Sequence, residues 1–152
     1  MPDEPRDTPI PDCKCRIQQA GLRCTRQREL IYETLAATTA HPSAEELHAA
    51  LNNADASISL ATVYNTLDAL TACGLVHRIP ARDGKGPSRY DADVSSHAHL
   101  VTQDGRVADL PAELHEQLMQ RLPPEFLAEL ESRLGVPIDR VSIQLIARAD
   151  RA

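Results

Sequence analysis

The sequence predicts an α+β fold, helical through its first half and mixed helix and strand afterwards, and three observations carry that reading. Residues 13–75 hold four segments with apolar side chains at helical spacing. Residues 76–92 hold two short extended runs around a basic Gly/Pro loop, VHRIPARDGKGPSRYDA. From residue 93 onward, the alternating runs HAHLV, RVADL and VSIQLIA bracket two helical stretches.

Taken in order, residues 1–12 (MPDEPRDTPIPD) carry four acidic residues, four prolines and no periodicity, so a flexible tail is expected there. This tail has neither the basic start nor the apolar run of a signal peptide, and no stretch reaches membrane-spanning length. A cytoplasmic protein without a membrane partner is the expectation. The first helix, CKCRIQQAGL, ends near Gly21. Thr25 can cap RQRELIYETLAAT, in which Leu30, Ile31, Leu35 and Ala37 share a face. Ser43 and Glu46 form an S-x-x-E capping box ahead of LHAALNNA, where Leu47 and Leu51 stand one turn apart.

The fourth helix is the most informative. Ser59 opens LATVYNTLDALTACGL and Gly74 closes it, with Leu60, Val63, Leu67 and Leu70 repeating at steps of three and four. Burying those four leaves Ala61, Thr62 and Asn65 on the outer face and Tyr64 at its edge. Such a face is small, neutral and hydrogen-bonding, and it suits a major groove, where an amide reads adenine and an apolar contact reads a thymine methyl. Short helices ending in a reading helix, then a basic hairpin, describe a winged helix-turn-helix over 13–92, in which the hairpin and basic side chains touch phosphate.

Charge alone is a weaker guide. The net charge of −6 opposes general nucleic-acid binding, but Lys14, Arg16, Arg23, Arg26 and Arg28 outnumber Glu29 and Glu33 between Cys13 and Leu35, and Arg78, Arg82, Lys85 and Arg89 cluster on the wing. Thr62, Tyr64 and Asn65 are therefore the candidate base contacts, and Arg23, Arg26 and Arg28 the candidate phosphate contacts, on double-stranded DNA.

Residues 93–152 read as a small αβ dimerisation domain. Its helical region, AELHEQLMQRL and EFLAELESRLG, is broken at Pro123-Pro124 and capped by Gly135. In the last strand Val141, Ile143, Leu145 and Ala147 alternate with polar residues except at Ile146, the one break in the pattern. So few strands leave exposed edges, and pairing as a homodimer through Val141, Ile143 and Leu145 is the natural remedy. With 152 residues, the chain is long enough for two small units that share stability by dimerising. The four cysteines, Cys13, Cys15, Cys24 and Cys73, contain no C-x-x-C pair and read as free thiols.

In HAHLV the period of two puts His97 and His99 on one face. Two histidines on a strand face, with a carboxylate on the next strand, make a metal site if the turn sets the register. A two-residue Asp104-Gly105 turn would set Leu100 opposite Asp109 and point the carboxylate away. A three-residue loop, Gln103-Asp104-Gly105 with Gly105 left-handed, sets His99 opposite Asp109 and Val101 opposite Val107. The second is expected, because it also pairs valine with valine.

Together GLRCTRQRELI, HPSAEELHAAL, ISLATVYNTLDALTACGLVHRI, SRYDAD and SHAHLV…DGRVADL, in this order, resemble the ferric uptake regulator family of metal-responsive repressors. The resemblance runs from Cys13 to Ala149 and implies a regulatory metal at the hinge between the two domains. By position it implies His41, Asp91, His97, His99 and Asp109 as ligands, a set that suits Fe(II) or Mn(II), with Zn(II) also accepted in purified protein. The expected operator is an AT-rich inverted repeat.

Peroxide-sensing members of the family carry Asp where iron-sensing members carry Glu, and Asp109 matches the former. In those sensors iron-bound histidines are oxidised, and His41 and His97 are the matching positions. One departure is plain: the segment after the HxH strand reads TQDG where most members have the first C-x-x-C of a structural zinc site, so no structural zinc held by four cysteines is expected. Haem-sensing iron-response regulators also lack those cysteines, but their haem-binding Cys-Pro pair has no match here, since Cys24 precedes Thr25. A haem- or iron-responsive regulator is the alternative reading. A non-haem iron oxygenase also uses two histidines and a carboxylate, but half of this chain is spent on a winged helix, so an enzyme is not expected.

Overall fold

A computed structural model describes residues 12–54, 57–82, 84–95, 97–138 and 140–147. Of the expected flexible tail, residues 1–11 lie outside the described residues, while Asp12 is described and starts the first helix. The described residues form six helices and five short strands, so the α+β class holds.

Helix α1 (Cys13–Gln19) is capped by the Asp12 carboxylate, which accepts from the Cys15 amide. Helix α2 (Arg26–Ala36) starts at Thr25, whose hydroxyl accepts from the Arg28 amide. Helix α3 (Ala44–Asn53) carries the full capping box: Ser43 accepts from the Glu46 amide and Glu46 accepts from the Ser43 amide. Helix α4 (Leu60–Ala72) is capped by Ser59 and stops at Gly74, whose φ of 78° is open to glycine without strain.

These four helices surround one core in which Ile17, Ile31, Tyr32, Leu35, Leu47, Leu51, Val63, Leu67 and Leu70 are buried. Each such apolar side chain contributes about 1.5–3 kcal/mol when fully removed from water. Two positions differ from the expected faces. Ala37 is exposed because α2 ends at Ala36, which takes the buried place, and Leu60 is only partly covered while Thr66 is buried beside Leu67.

Strands β1 (His77–Ile79) and β2 (Arg89–Asp91) pair antiparallel as the expected wing, and Tyr90 points back into the helical core. Strands β3 (His99–Val101) and β4 (Val107–Asp109) form a second hairpin. Its register sets His99 opposite Asp109 and Val101 opposite Val107. The turn is the three-residue kind: the Thr102 amide donates to Arg106 O at 2.9 Å, and Gly105 has φ 79°.

Helices α5 (Ala112–Met119) and α6 (Pro124–Leu134) follow, with Pro124 starting α6 and Gly135 ending it in the left-handed conformation. Strand β5 (Gln144–Ile146) then joins β3 in parallel, giving the order β4-β3-β5. The last strand is shorter than its sequence alternation implies. Val141 and Ile143 precede it, although Ile143 O still accepts from the His99 amide, and both Leu145 and Ile146 are exposed. Leu114, Phe126, Leu134 and Val136 are exposed as well. No helix among the described residues is long and apolar enough to cross a membrane.

Candidate metal centre

His41 sits just before α3 with φ 49°, a left-handed conformation that costs a residue with a Cβ about 1–2 kcal/mol. The segment is held there by β2: the Tyr90 amide donates to Pro42 O at 3.1 Å, and Ser43 bridges to Arg89. That placement turns the His41 imidazole inward until it is 1 % exposed. Asp91, at the end of β2, is equally buried.

From the other side come His97, leading into β3, then His99 on β3 and Asp109 on β4. The donor atoms of all five residues lie within 4.8 Å of one another. Asp109 Oδ1 is 2.8 Å from His41 Nε2, 3.2 Å from His97 Nε2 and 3.5 Å from His99 Nε2. Asp91 Oδ2 is 3.4, 2.9 and 3.6 Å from the same three nitrogens. Around an ion held at about 2.1 Å, neighbouring donors stand roughly 3 Å apart and opposed donors roughly 4.2 Å apart. The N–O separations of 2.8–3.6 Å match the neighbouring spacing, and the widest spread of 4.8 Å lies slightly beyond the opposed one.

A test of fit comes from the nitrogens themselves. His41 Nε2 and His99 Nε2 are buried and face the same two carboxylate oxygens, those of Asp91 and Asp109, at 2.8–3.6 Å. Three imidazole nitrogens and two carboxylate oxygens turned toward one point are what ligands to a shared divalent cation look like. His97 adds the outer partner expected of a ligating imidazole: its Nδ1 pairs with Ser95 O at 2.9 Å, which leaves Nε2 for the centre. The residues fit a divalent cation.

The charges are strongly coupled. Burial opposes ionisation of His41, but Asp109 and Asp91 outweigh it and hold its pKa up at about 9. For His97 the same carboxylates, Asp109 first, raise the pKa to about 10 against a smaller effect of burial. Burial likewise works against the Asp91 and Asp109 charges, yet the surrounding histidines keep both carboxyls well below the usual carboxylate range. Without a cation, the two negative charges hold protons on imidazole; with one, they neutralise it.

The other candidates are placed differently. Asn65 and Ala61 are exposed on α4, and Thr62 is partly covered with its hydroxyl 2.8 Å from Ser59 Oγ. Tyr64 is 37 % exposed, and its hydroxyl donates to Glu45 Oε1 at 2.5 Å, a partner on α3 that the sequence did not announce. Arg23 is exposed, and Arg26 extends into solvent beside Glu29. Arg28 is half-buried and donates to Arg23 O at 2.6 Å, so its guanidinium braces the loop before α2. On the wing, Arg78 donates to Ser88 across the hairpin and Arg89 turns inward.

The sequence profile of the ferric uptake regulator family matches residues 19–131. The chain belongs to this family. As such it is a metal-dependent regulator, of a family whose members regulate transcription and are not enzymes. It is 35 % identical over 114 residues to the ferric uptake regulation protein of Brucella abortus, covering 74 % of this chain and 79 % of that one. It is 34 % identical over 94 residues to the peroxide-responsive repressor PerR of Staphylococcus aureus, covering 61 % of this chain and 62 % of the other. Among solved structures, the ferric uptake regulator of Pseudomonas aeruginosa with manganese superposes with a TM-score of 0.69 at 28 % identity, covering 92 % of this chain and 99 % of that one.

Proposed function

We propose that this regulator is an Fe(II)- or Mn(II)-dependent transcriptional repressor that binds operator DNA as a homodimer and is released from it by peroxide, through oxidation of His41 or His97. The observation that carries the reading is the origin of the five donors. His41 and Asp91 belong to the helical and wing part, 13–92, while His97, His99 and Asp109 belong to the second part, 93–152. A cation that needs all five is bound only when the two parts stand at one relative position, so metal selects that arrangement from the population.

The selected arrangement reaches DNA through α3, which follows His41 and packs on α4. In this reading Thr62, Tyr64 and Asn65 on α4 meet base edges in an AT-rich inverted repeat, and Arg23 and Arg26 meet phosphates. Arg28 acts by shaping the loop that presents Arg23. The exposed apolar side chains Leu114, Phe126, Leu134, Val136, Leu145 and Ile146 support pairing of two copies through the second part.

The peroxide response is favoured by Asp109, the acidic residue that resembles the peroxide-sensing branch, and by the similarity to PerR. Fe(II) held by His41, Asp91, His97, His99 and Asp109 would supply one-electron chemistry toward peroxide beside the imidazoles, which Mn(II) would not. The chain supplies access and aim. His97 lines a cleft of about 480 Å³, open mouth included, together with His77, Arg78 and Arg140, whereas His41 is enclosed. Of the two candidates His97 is the one solvent reaches.

A second reading, response to iron itself, is favoured by the Brucella abortus relative. One experiment separates them. The Fe(II)-loaded and Mn(II)-loaded proteins are bound to an operator without oxygen, pulsed with peroxide, and followed by gel shift and by mass spectrometry of the His97 peptide. Loss of DNA binding with one added oxygen in the Fe(II) sample alone supports peroxide sensing. DNA binding that survives the pulse with His97 unmodified supports the iron response.

A further inference from the structure

We propose that Arg89 is a positioning residue for the metal centre, a clamp that holds the two halves of the donor set in register before any cation arrives. This inference rests on the reading of the five-residue cluster as a metal site. The sequence groups Arg89 with Arg78, Arg82 and Lys85 as a basic cluster on the wing, and in the structure its side chain turns away from solvent. Its side chain is 16 % exposed and spends its donors inside the protein.

Arg89 Nε donates to Gly105 O at 2.7 Å. Nη1 donates to His41 O at 3.0 Å and to Glu46 Oε2 at 2.7 Å, and Nη2 reaches Glu46 Oε1 at 3.3 Å. Each acceptor belongs to a segment that carries or abuts a donor of the centre. His41 is itself a donor, held at φ 49°, a conformation that needs an outside grip. Gly105 is the turn of the hairpin that bears His99 and Asp109. Glu46 closes the capping box at the start of α3, directly after the His41 segment, and Arg89 lies two residues before Asp91 on β2.

One planar guanidinium therefore ties four of the five donor-bearing positions, all but the approach to His97, into a single frame. The fork geometry matters. Arginine sends several donors in fixed directions, so it can satisfy two carbonyls and a carboxylate at once. Lysine offers one compact ammonium head and cannot span acceptors on three segments. The carbonyl contacts are directional and do not touch the donor carboxylates, so the role is one of placement and not of charge compensation.

The test uses the full-length, metal-stripped protein with Co(II) alone as the probe, whose d–d absorption bands report the coordination geometry. Arg89→Lys and Arg89→Gln are compared with wild type by Co(II) titration, by absorption spectrum and by thermal unfolding. Loss of an outer partner of a metal site costs about ten- to a hundredfold in metal affinity. Both variants are expected to bind Co(II) at least about tenfold more weakly, with shifted bands, and Arg89→Lys is expected not to restore the wild-type spectrum even where it restores the melting temperature. If one variant does not fold, the other carries the test. Wild-type affinity and spectrum in a folded variant overturn the clamp. Failure of the wild-type protein to bind Co(II) overturns the metal site and, with it, the clamp.

Discussion

His99 and Asp109 stand directly opposite each other across the β3–β4 ladder, with Nε2 3.5 Å from Oδ1. This pairing follows from the length of one turn. A loop one residue shorter would flip the Asp109 side chain to the other face of the sheet and leave the cluster with a single carboxylate.

The turn is the first place to test. Gly105 has φ 79° with open space where a Cβ would be, so Gly105→Ala meets conformational strain and no clash. The expected cost is about 1–2 kcal/mol, read as a lower melting temperature of the metal-free protein. A melting temperature equal to wild type would mean that the left-handed conformation is not retained in solution.

Asp109→Ala removes one carboxylate and leaves three buried or half-buried imidazoles around Asp91. Since even an outer partner is worth about ten- to a hundredfold in metal affinity, loss of a donor should weaken Mn(II) binding by at least about tenfold. Isothermal titration of the metal-stripped variant checks this. Unaltered Mn(II) affinity would place the ion elsewhere.

Metal binding has to displace the protons that the carboxylates hold on imidazole. His41, at about 9, and His97, at about 10, are both protonated at neutral pH in the metal-free cluster. Apparent Mn(II) affinity is thus expected to rise with pH between about 6 and 9, by about tenfold per pH unit for each proton displaced. Titrations in buffers of different ionisation enthalpy count those protons. The metal-free fold runs the other way: the raised histidines stabilise it fully below about pH 6.5, and that contribution fades as pH climbs through 9 to 10. The depressed carboxyls of Asp91 and Asp109 add stability above about pH 4 that is lost on acidification.

Tyr64→Ala should weaken operator binding and leave Mn(II) binding intact, because Tyr64 lies at the edge of the exposed α4 face and touches no donor of the cluster. Fluorescence anisotropy on operator DNA beside a metal titration separates the two effects. Unchanged DNA affinity removes Tyr64 from the reading face.

Leu67→Ala should lower unfolding stability by about 2–5 kcal/mol in a urea titration, since the side chain is fully enclosed between the helices. A loss below about 1 kcal/mol would contradict the packing of α4 described above.

Local chemistry made much of this legible. The Thr25, Ser43 and Ser59 caps act through side chains a few residues from their partners, so sequence spacing locates the helix starts. The His99–Asp109 register was readable because a glycine in a short turn allows few geometries. His41 and Asp91 came from family resemblance, since nothing in their own segments announces a meeting with the second hairpin. The inward turn of Arg89 was not legible for the same reason: its partners, Glu46, His41 and Gly105, are far away in the chain. Helix α2 ends at Ala36, two residues before the expected Thr38, and the last strand shortened to Gln144–Ile146, since alternation marks a face but not how far a partner strand extends.

The most direct test of the central claim is a gel shift of metal-stripped protein on an operator from its own promoter, titrated with Mn(II), for wild type and for His41→Ala. Wild type is expected to bind DNA only as Mn(II) is added, and His41→Ala, which keeps the other four donors, to lose the DNA response. DNA binding by wild type without metal, or an equal Mn(II) response in both proteins, would contradict the claim that a cation at this cluster joins the two parts of the molecule into the DNA-binding form.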